Sequence, residues 1–392
     1  MIDFTLTQQD QKILDVVRER ALICRNYARY YDEHEEEFAP AELPENEQFK
    51  DKHPFVLMRG SGENDTSFGV MSMLVSIGQT WGDYTVRLQQ GAGGLGNASL
   101  GAVGTDEQKT KWGSMTLAMA NTEPGCGSDS KAIITTAVLD GDEWVINGEK
   151  IFVTTGCRCD GVVVWATLDA SKGRGAIKAF MIPKGVPGFE VTHKEKKLGI
   201  RADDTAAMVF TDCRIPRENL LGGNEEIVQK GGGGFKGLMG TFNMTRPGVA
   251  AIGLGMARAA LDFTRDELAK EGIEVDYAAS PSERSAVAQK LIEIEADLEA
   301  AELTVLHAVW LSTDGKPNNM EASIAKAKGG EVVRTATQRC LELLGGLGVS
   351  RDYLIEKWFR DVRITDIYEG TGQIQKLIIA RQILEYSSAE LS

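Results

Sequence analysis

The segment Asn121-Thr122-Glu123-Pro124-Gly125-Cys126-Gly127-Ser128-Asp129 stands between two parts of the chain with different hydrophobic periods. Before it, apolar residues recur at helical spacing over residues 7–35 and 70–81, and residues 104–112 predict a helix capped by Thr105. After it, short β-rich runs alternate with turn residues. The segment therefore marks a boundary between a helical and a β-rich region.

The β-rich region extends from residue 131 to residue 209. A clear turn, Asp140-Gly141-Asp142, separates its first two runs. Strands at this spacing predict an antiparallel sheet folded as a sandwich or barrel. The runs are residues 133–139, 144–146, 161–166, 179–182, 189–192 and 207–210.

Helical periodicity returns at about residue 234 and continues to residue 386. The longest apolar stripe consists of Val287, Leu291, Ile294, Leu298, Ala301, Val305, Ala308 and Val309. Further helical stretches cover residues 324–344, 354–359 and 374–386. The order predicts an α+β fold with three domains: an N-terminal α-helical domain (1–114), a middle antiparallel β-domain (115–222) and a C-terminal α-helical bundle (223–392).

The composition indicates a globular chain. Its 392 residues, 42% of them hydrophobic, are enough for a buried core. The formal net charge of −14 argues against a nucleic-acid partner, because phosphate binding needs a basic surface. No apolar run reaches the roughly 20 residues of a membrane span, and the N-terminus lacks the pattern of a signal peptide. We therefore expect neither nucleic acid nor membrane as a partner, and a cytoplasmic location.

The cysteines and histidines do not predict a metal site. Six cysteines and four histidines are scattered along the chain, and Cys157 and Cys159 form the single close pair. Metal sites show paired clusters of such ligands. We expect no metal, and reduced, buried or incidental thiols.

Near the C-terminus, the segment Ile367-Tyr368-Glu369-Gly370-Thr371-Gly372-Gln373-Ile374-Gln375 sets a lone carboxylate beside an aromatic residue and a Gly-Thr-Gly turn. Shielding from water disfavours the charged form of a carboxylate, which raises its pKa into the range of a useful general base. Glu369 is therefore a candidate base, and the alternative is a solvated glutamate ahead of a helix.

Two glycine-rich segments resemble nucleotide-binding motifs, but the sequence around them does not support nucleotide binding. The segment Gly91-Ala-Gly-Gly-Leu-Gly96 matches the dinucleotide fingerprint, but residues 86–90 make a poor buried strand and no βαβ alternation follows. We interpret it as a glycine-lined helix start, and a nicotinamide-binding fold is the alternative. The run Gly231–Gly234 lacks the Lys-Ser/Thr of a phosphate loop and predicts a link into a helix.

Ordered motifs along the chain carry a family resemblance. From about Gly101 to the C-terminus, the chain resembles the acyl-CoA dehydrogenase family in motif order and approximate spacing. The motifs are Thr122-Glu123-Pro124-Gly125-Cys126-Gly127-Ser128-Asp129, Ile151-Phe152-Val153-Thr154, Thr245-Arg246-Pro247, Leu344-Gly345-Gly346-Leu347-Gly348 and Tyr368-Glu369-Gly370-Thr371.

The resemblance implies an FAD site and an acyl-CoA site. Thr122 and Thr154 would hydrogen-bond the flavin, and Phe152 would form an apolar wall where the family more often has tryptophan. Substrate contacts would come from Ser128 to the CoA pantetheine and from Asn243 and Arg246 near its adenylate, unless Arg246 is a surface arginine. The full cofactor set is Met119, Asn121, Thr122, Gly127, Ser128, Phe152, Thr154, Thr371 and Gln373.

The implied reaction is α,β-dehydrogenation of an acyl-CoA thioester to a trans-2-enoyl-CoA. Glu369 would remove the α-proton while the β-hydrogen leaves as hydride to flavin N5. Electrons would then pass to an electron-transferring flavoprotein. The acyl group is left open. Arg87 lies near where related enzymes for dicarboxylic or sulfinate substrates place an arginine, but we interpret it as a surface or CoA-facing arginine.

One departure from the family pattern concerns assembly. In homomeric members, a neighbouring subunit also holds the ADP half of FAD through an arginine, a phenylalanine and two glutamines. These positions fall on or near Glu274, Tyr277, Ser285 and Glu342. Two of these residues are acidic, and a like charge about 4 Å from a pyrophosphate costs about 1 kcal/mol even in water. We interpret the chain as the catalytic part of a two-plus-two heterotetramer with a paralogous subunit. The alternatives are that Arg284 replaces the arginine, or that the chain is a non-catalytic partner subunit.

Overall fold

A computed structural model describes residues 5–40, 43, 58, 65–89, 94–227 and 233–386, without the side chains of residues 65–67, 87–89 and 233–244. The chain divides into two compact units. The first takes in Met1–Gln90, Leu198–Ala202 and Asn243–Ser392, and the second takes in Gly91–Lys197 and Asp203–Phe242. The three-domain boundaries stay a prediction.

The predicted order of helices, strands and helices is confirmed. The helices are α1 (Gln8–Glu33), α2 (Asp65–Gly82), α3 (Tyr84–Gln89), α4 (Leu95–Val103), α5 (Asp106–Trp112), α6 (Gly233–Lys270), α7 (Ala286–Thr313), α8 (Asn319–Leu344), α9 (Ile355–Asp361) and α10 (Gly372–Ile383). The strands are β1 (Leu117–Ala120), β2 (Thr136–Asp140), β3 (Glu143–Thr154), β4 (Gly161–Thr167), β5 (Ile177–Pro183), β6 (Phe189–Lys194) and β7 (Thr205–Pro216).

Local capping explains where two of the helices begin. At the start of α1, Asp10 N donates to Thr7 Oγ1 at 3.1 Å while Thr7 N donates to Asp10 Oδ2 at 2.8 Å. Thr105 forms the same reciprocal pair with Gln108 ahead of α5. Each pair satisfies N–H groups that a helix start would otherwise leave without partners.

The core of the first unit is formed by small and aliphatic side chains of α6, α7 and α8, joined by residues of α1 and α2. Gly255 on α6 lies so close to α2 that an added Cβ would stand 2.3 Å from Ile77 O and 2.1 Å from Thr80 Oγ1. A residue without a side chain is therefore required where these helices cross. The 3₁₀ helix Val362–Asp366 and α10 both pack against α8.

The second unit contains a 7-stranded sheet in the order β1-β4-β2-β3-β7-β6, with β5 paired to β4. The predicted antiparallel character holds for most pairs, including β3–β7 and β4–β5. The β4 strand also pairs in parallel with β1 and, at one position, with β2. The sequence patterns did not predict the four-residue strand β1.

The glycine-rich segment at residues 91–96 begins a helix, as predicted. Its described part places Gly94 as the N-cap of α4, and an added Cβ at Gly94 or Gly96 would lie within 2.3 Å of a carbonyl oxygen of β1. These glycines let α4 lie directly on the strand. Since the preceding element is the helix α3, the context required of a nicotinamide-binding fingerprint is absent from the described residues.

Other features predicted from composition can be compared with the described residues. Within them, no helix is both long and apolar enough to cross a membrane. The same part of the chain holds no cluster of metal-binding side chains. All six cysteines are free, and four of them, Cys24, Cys159, Cys213 and Cys340, are buried.

Candidate active site

Glu369 lies in a tight turn between the 3₁₀ helix Val362–Asp366 and α10. Its φ is 55° and that of Gly370 is 91°. A left-handed backbone is unfavourable for a residue with a side chain, typically by about 1–3 kcal/mol, and such residues cluster at functional sites. The backbone therefore leaves helical geometry at the residue that carries the carboxylate.

Gln375 lies in the first turn of α10, and its side chain stabilises the turn that carries Glu369. The side chain is fully buried, and Nε2 donates to Glu369 O at 3.2 Å and to Gly370 O at 3.0 Å. Thr371 caps α10 by accepting from Ile374 N at 3.3 Å. Thr371 therefore has a local structural role, and its predicted flavin contact stays a prediction.

The Glu369 carboxylate is shielded from water although the residue as a whole is half-buried. Thr245 makes a side-chain hydrogen bond to it, whereas Oε2 is inaccessible and has no hydrogen-bond partner among the described residues. Burial raises the pKa of Glu369, and this outweighs the opposing effects of Thr245, Lys326 and Arg246. A carboxylate of this kind can act as a general base near neutral pH.

Two cationic side chains face Glu369. Arg246 on α6 is only 4% exposed and Lys326 on α8 is 0% exposed, and the charge of each acts on the Glu369 carboxylate. The surface alternative for Arg246 is therefore wrong. The side chain of Asn243 lies outside the described residues, as does that of Arg87, and the CoA contacts of Asn243 and Arg246 stay predictions.

In the second unit, residues 121–129 leave β1 and form a tight turn held by a buried ion pair. Glu123 and Cys126 exchange backbone hydrogen bonds at 2.9 and 3.1 Å. Lys150 Nζ on β3 donates to Glu123 Oε1 at 2.8 Å and to Asn121 O at 3.1 Å. The Asn121 Oδ1 atom is buried without a hydrogen-bond partner in the described structure, so an acceptor is left for a ligand.

Phe152 on β3 presents an apolar ring to solvent. Its side chain is 57% exposed and its φ is 55°, next to an irregularity between Lys150 and Val153. A strained, exposed aromatic residue in a sheet is a candidate ligand contact. Thr154 follows in half-buried surroundings at the end of the strand, level with Thr205 of β7.

The remaining predicted residues differ in exposure. Met119 on β1 is half-buried, and its Sδ accepts from Ser99 at 3.1 Å. Thr122 is also half-buried, whereas Gly127 and Ser128 are exposed in the loop and Gln373 is exposed on α10. The roles assigned to these side chains stay predictions.

Three buried residues of this region were missed from the sequence: Lys150, Lys326 and Gln375. Strand alternation could have found Lys150, which shares a face with Trp144 and Ile146. Helical spacing could have found Lys326, which falls on the apolar face of α8. No sequence signal distinguishes Gln375 from a surface glutamine.

Comparison with known proteins identifies two family domains in the chain. Residues 118–213 match the model of the acyl-CoA dehydrogenase middle domain, and residues 232–384 match that of the acyl-CoA dehydrogenase C-terminal domain. The chain belongs to the acyl-CoA dehydrogenase family. The predicted resemblance and the assignment as an oxidoreductase are confirmed.

Relatives within the acyl-CoA dehydrogenase family cover nearly the full length. The short-chain specific acyl-CoA dehydrogenase of Clostridium acetobutylicum is 34% identical over 97% of this chain and 100% of its own length. The structure of butyryl-CoA dehydrogenase from Megasphaera elsdenii is 29% identical, covers 98% of this chain and 100% of its own, and has a TM-score of 0.80. The similarity therefore extends into the N-terminal region that the motifs left unmatched.

A second solved chain comes from a study of the electron transferring flavoprotein of Acidaminococcus fermentans. It is 32% identical, covers 98% of this chain and 100% of its own, and has a TM-score of 0.79. Acyl-CoA dehydrogenases bind FAD, so the predicted cofactor is confirmed for the family. The exposed ring of Phe152 and the buried acceptor Asn121 Oδ1 fit a flavin, which needs an apolar wall and polar contacts at its ring edge.

Proposed function

We propose that this chain removes hydrogen from the α and β carbons of an acyl-CoA thioester to form a trans-2-enoyl-CoA, with Glu369 as the base. The observation that carries the proposal is the buried Glu369 carboxylate, whose Oε2 has no hydrogen-bond partner among the described residues. Because no other group engages its lone pairs, this oxygen can accept a proton from a substrate that occupies the site. The acyl-CoA dehydrogenase reaction is general to the family.

Side chains of the first unit prepare the base. Thr245 orients the carboxylate, and Gln375 fixes the two carbonyl groups of the turn. Burial keeps water away, which preserves the proton affinity of Glu369 for the α-proton. FAD, when bound, supplies the hydride acceptor, and we assign Phe152 as its apolar wall with Thr122 and Thr154 as polar contacts.

Two further assignments concern the substrate and the electron acceptor. We assign the CoA moiety to Ser128, Asn243 and Arg246, as the family resemblance implies. The short-chain specificity of the relatives makes butyryl-CoA the first thioester to test. An electron-transferring flavoprotein is the proposed electron acceptor, and the similarity to a chain from a study of such a protein supports it.

Glu369→Gln tests the base. The amide cannot accept the α-proton, so flavin content should be retained while anaerobic bleaching of the flavin by acyl-CoA is abolished. Glu331→Gln is the matched control, because Glu331 is an exposed glutamate of α8 and should leave bleaching unchanged. Bleaching of the Glu369 variant at the wild-type rate would remove Glu369 from the mechanism.

We further propose that the chain works in a two-plus-two heterotetramer with a paralogous subunit. Glu274 and Glu342 are exposed, so two carboxylates would meet the pyrophosphate of a neighbouring FAD in a homomer. Tyr277 is already bonded to Glu295 and Arg265. These observations support the view that the chain lacks the residues with which a homomeric neighbour would hold the ADP half of FAD.

Arg284 is a poor substitute for the missing arginine. Its guanidinium donates to the carbonyl oxygens of Asp276 and Tyr277 at 3.2 and 3.0 Å, which ties it to its own loop. Ser285 next to it caps α7 through Ala288 N. The retained base argues against the alternative of a non-catalytic partner subunit.

Co-expression tests the heteromer. Expressed alone, the chain should hold little flavin, and a paralogous chain with the arginine and phenylalanine should restore about one FAD per pair. Because a bound cofactor stabilises the folded state by mass action, the pair should also melt at a higher temperature. An active homotetramer of this chain with a full complement of flavin would refute the proposal.

A further inference from the structure

Lys326 is a buried lysine on the face of α8 that carries the small residues Ala322, Gly329 and Gly330. The residue is 0% exposed. Its Nζ has no hydrogen-bond partner in the part of the chain that the structure describes. A lysine side-chain nitrogen therefore lies in the interior with none of its hydrogen-bond donors satisfied by the described residues.

The other buried lysines of the described residues all form hydrogen bonds or ion pairs. Lys150 donates to Glu123, Lys178 donates to Glu226 O, and Lys357 pairs with Asp83 and Asp361. Removing an ammonium from water is costly unless a partner compensates. Lys326 lacks that compensation, which indicates a role other than stabilising the fold.

Its place in the fold puts Lys326 beside the turn that carries the base. Gly330 lies one helical turn further on α8, and an added Cβ there would stand 3.0 Å from Asp366 Oδ1. This face of α8 is therefore the one covered by the 3₁₀ helix before Glu369, and α10 after it also packs on α8. The charges of Asp366 and Glu369 both act on Lys326.

The charged groups around Glu369 come from each packed element. Arg246 lies on α6 and Lys326 on α8, whereas Asp366 is already paired with Arg363 at 3.2 Å. On α10, the nearest described ion pair is an exposed one, from Lys376 to Glu331 of α8 at 3.4 Å. Of the two buried cations, Lys326 is the one whose charge can be removed without touching a residue assigned to CoA.

We propose that Lys326 is a positioning residue for the base, whose unpaired ammonium keeps the Glu369 carboxylate ionised. This inference rests on the proposed function of Glu369. Burial lowers the pKa of Lys326 to about 8, so the side chain is still largely cationic at neutral pH. The buried charge costs stability, but it sets the pH at which Glu369 is ionised and can act as a base.

The test is the pH dependence of flavin reduction by butyryl-CoA in the flavin-loaded enzyme, with Lys326→Met as the variant. Loss of the cation should raise the acid limb, which reports ionisation of Glu369, by about one pH unit. The melting temperature of the flavin-free chain should also rise, since an apolar side chain replaces an unpaired charge. A purely structural residue would not move the limb upward while stabilising the chain.

Companion variants make the result decisive. Lys326→Gln should raise the acid limb as Lys326→Met does. Lys326→Arg, which keeps the charge, should leave the acid limb at its wild-type pH. Lys328→Met is the matched control on the exposed side of the same helix and should change nothing. A wild-type limb in either neutral variant, an equal shift in the control, or unfolding of both neutral variants would overturn the inference.

These outcomes are separable from failure of the proposed function. If Glu369→Gln still bleaches its flavin, the base has been assigned wrongly. If Glu369→Gln is inactive while Lys326→Met keeps the wild-type limb, only the role of Lys326 is wrong.

Discussion

Lys150→Met should destabilise the second unit strongly, because it breaks a fully buried ion pair. Lys150 Nζ is 2.8 Å from Glu123 Oε1, and the two side chains are 0% and 2% exposed. Removing one partner of such a pair costs about 3–5 kcal/mol, since the other charge stays buried. Glu123 keeps the N–H groups of Ile134 and Thr135 at 2.7 and 3.0 Å, so we expect the lower end, about 3 kcal/mol.

The loss should depend on pH in a defined direction. Burial alone would raise the pKa of Glu123, but the charge of Lys150 and hydrogen bonds from Ile134, Lys150 and Thr135 hold it below its usual range. A depressed pKa contributes stability that is present above the unfolded value of about 4.3 and is lost as pH falls through the folded value. The difference between wild type and Lys150→Met should therefore be largest near neutral pH and should narrow on acidification below about pH 4.

Urea unfolding of the flavin-free chain, followed by the fluorescence of the buried Trp144 and Trp165, measures the difference. The matched control is Lys111→Met. Lys111 Nζ is 2.6 Å from Glu218 Oε1, but those side chains are 54% and 68% exposed, so its loss should cost less than about 1 kcal/mol. If Lys150→Met loses no more stability than Lys111→Met, or if its deficit grows in acid, the reasoning from burial is wrong.

Three other substitutions, the last with a control, test the candidate site and the packing of the helices. Gln375→Leu should slow flavin reduction by acyl-CoA about ten- to hundredfold at unchanged flavin content, because the turn of Glu369 loses its clamp; a wild-type rate in stopped flow would contradict this. Phe152→Ala should weaken flavin retention, measured by absorbance after dialysis, yet change flavin-free stability by no more than about 0.5 kcal/mol, since the ring is largely exposed; unaltered retention would remove its role as a wall. Gly255→Ala should cost about 1–3 kcal/mol through overlap with α2. Gly101 is an exposed residue of α4, where an added Cβ meets no atom within 4 Å, so Gly101→Ala should stabilise by up to about 1 kcal/mol; equal thermal shifts in the two variants would disprove this account.

Local patterns were enough for most elements and for the family. The apolar period of α1, the cap at Thr105 and the turn at Gly141 act within a few residues, so the sequence alone predicts them. The motif around Glu369 likewise identified the candidate base, because a lone carboxylate in a Gly-Thr-Gly turn is a short-range feature. The structure adds the raised pKa and the inaccessible Oε2 that the chemistry needs.

Only the tertiary structure decided what surrounds these residues. The strand β1 is four residues long and rich in alanine, and it exists because β4 supplies its hydrogen bonds. The pairing of Lys150 with Glu123 joins residues far apart in sequence, and the isolation of Lys326 depends on which helices cover α8. Sequence determines local backbone preference through propensity and period, whereas partnership and desolvation of a buried charge depend on contacts made across the whole chain.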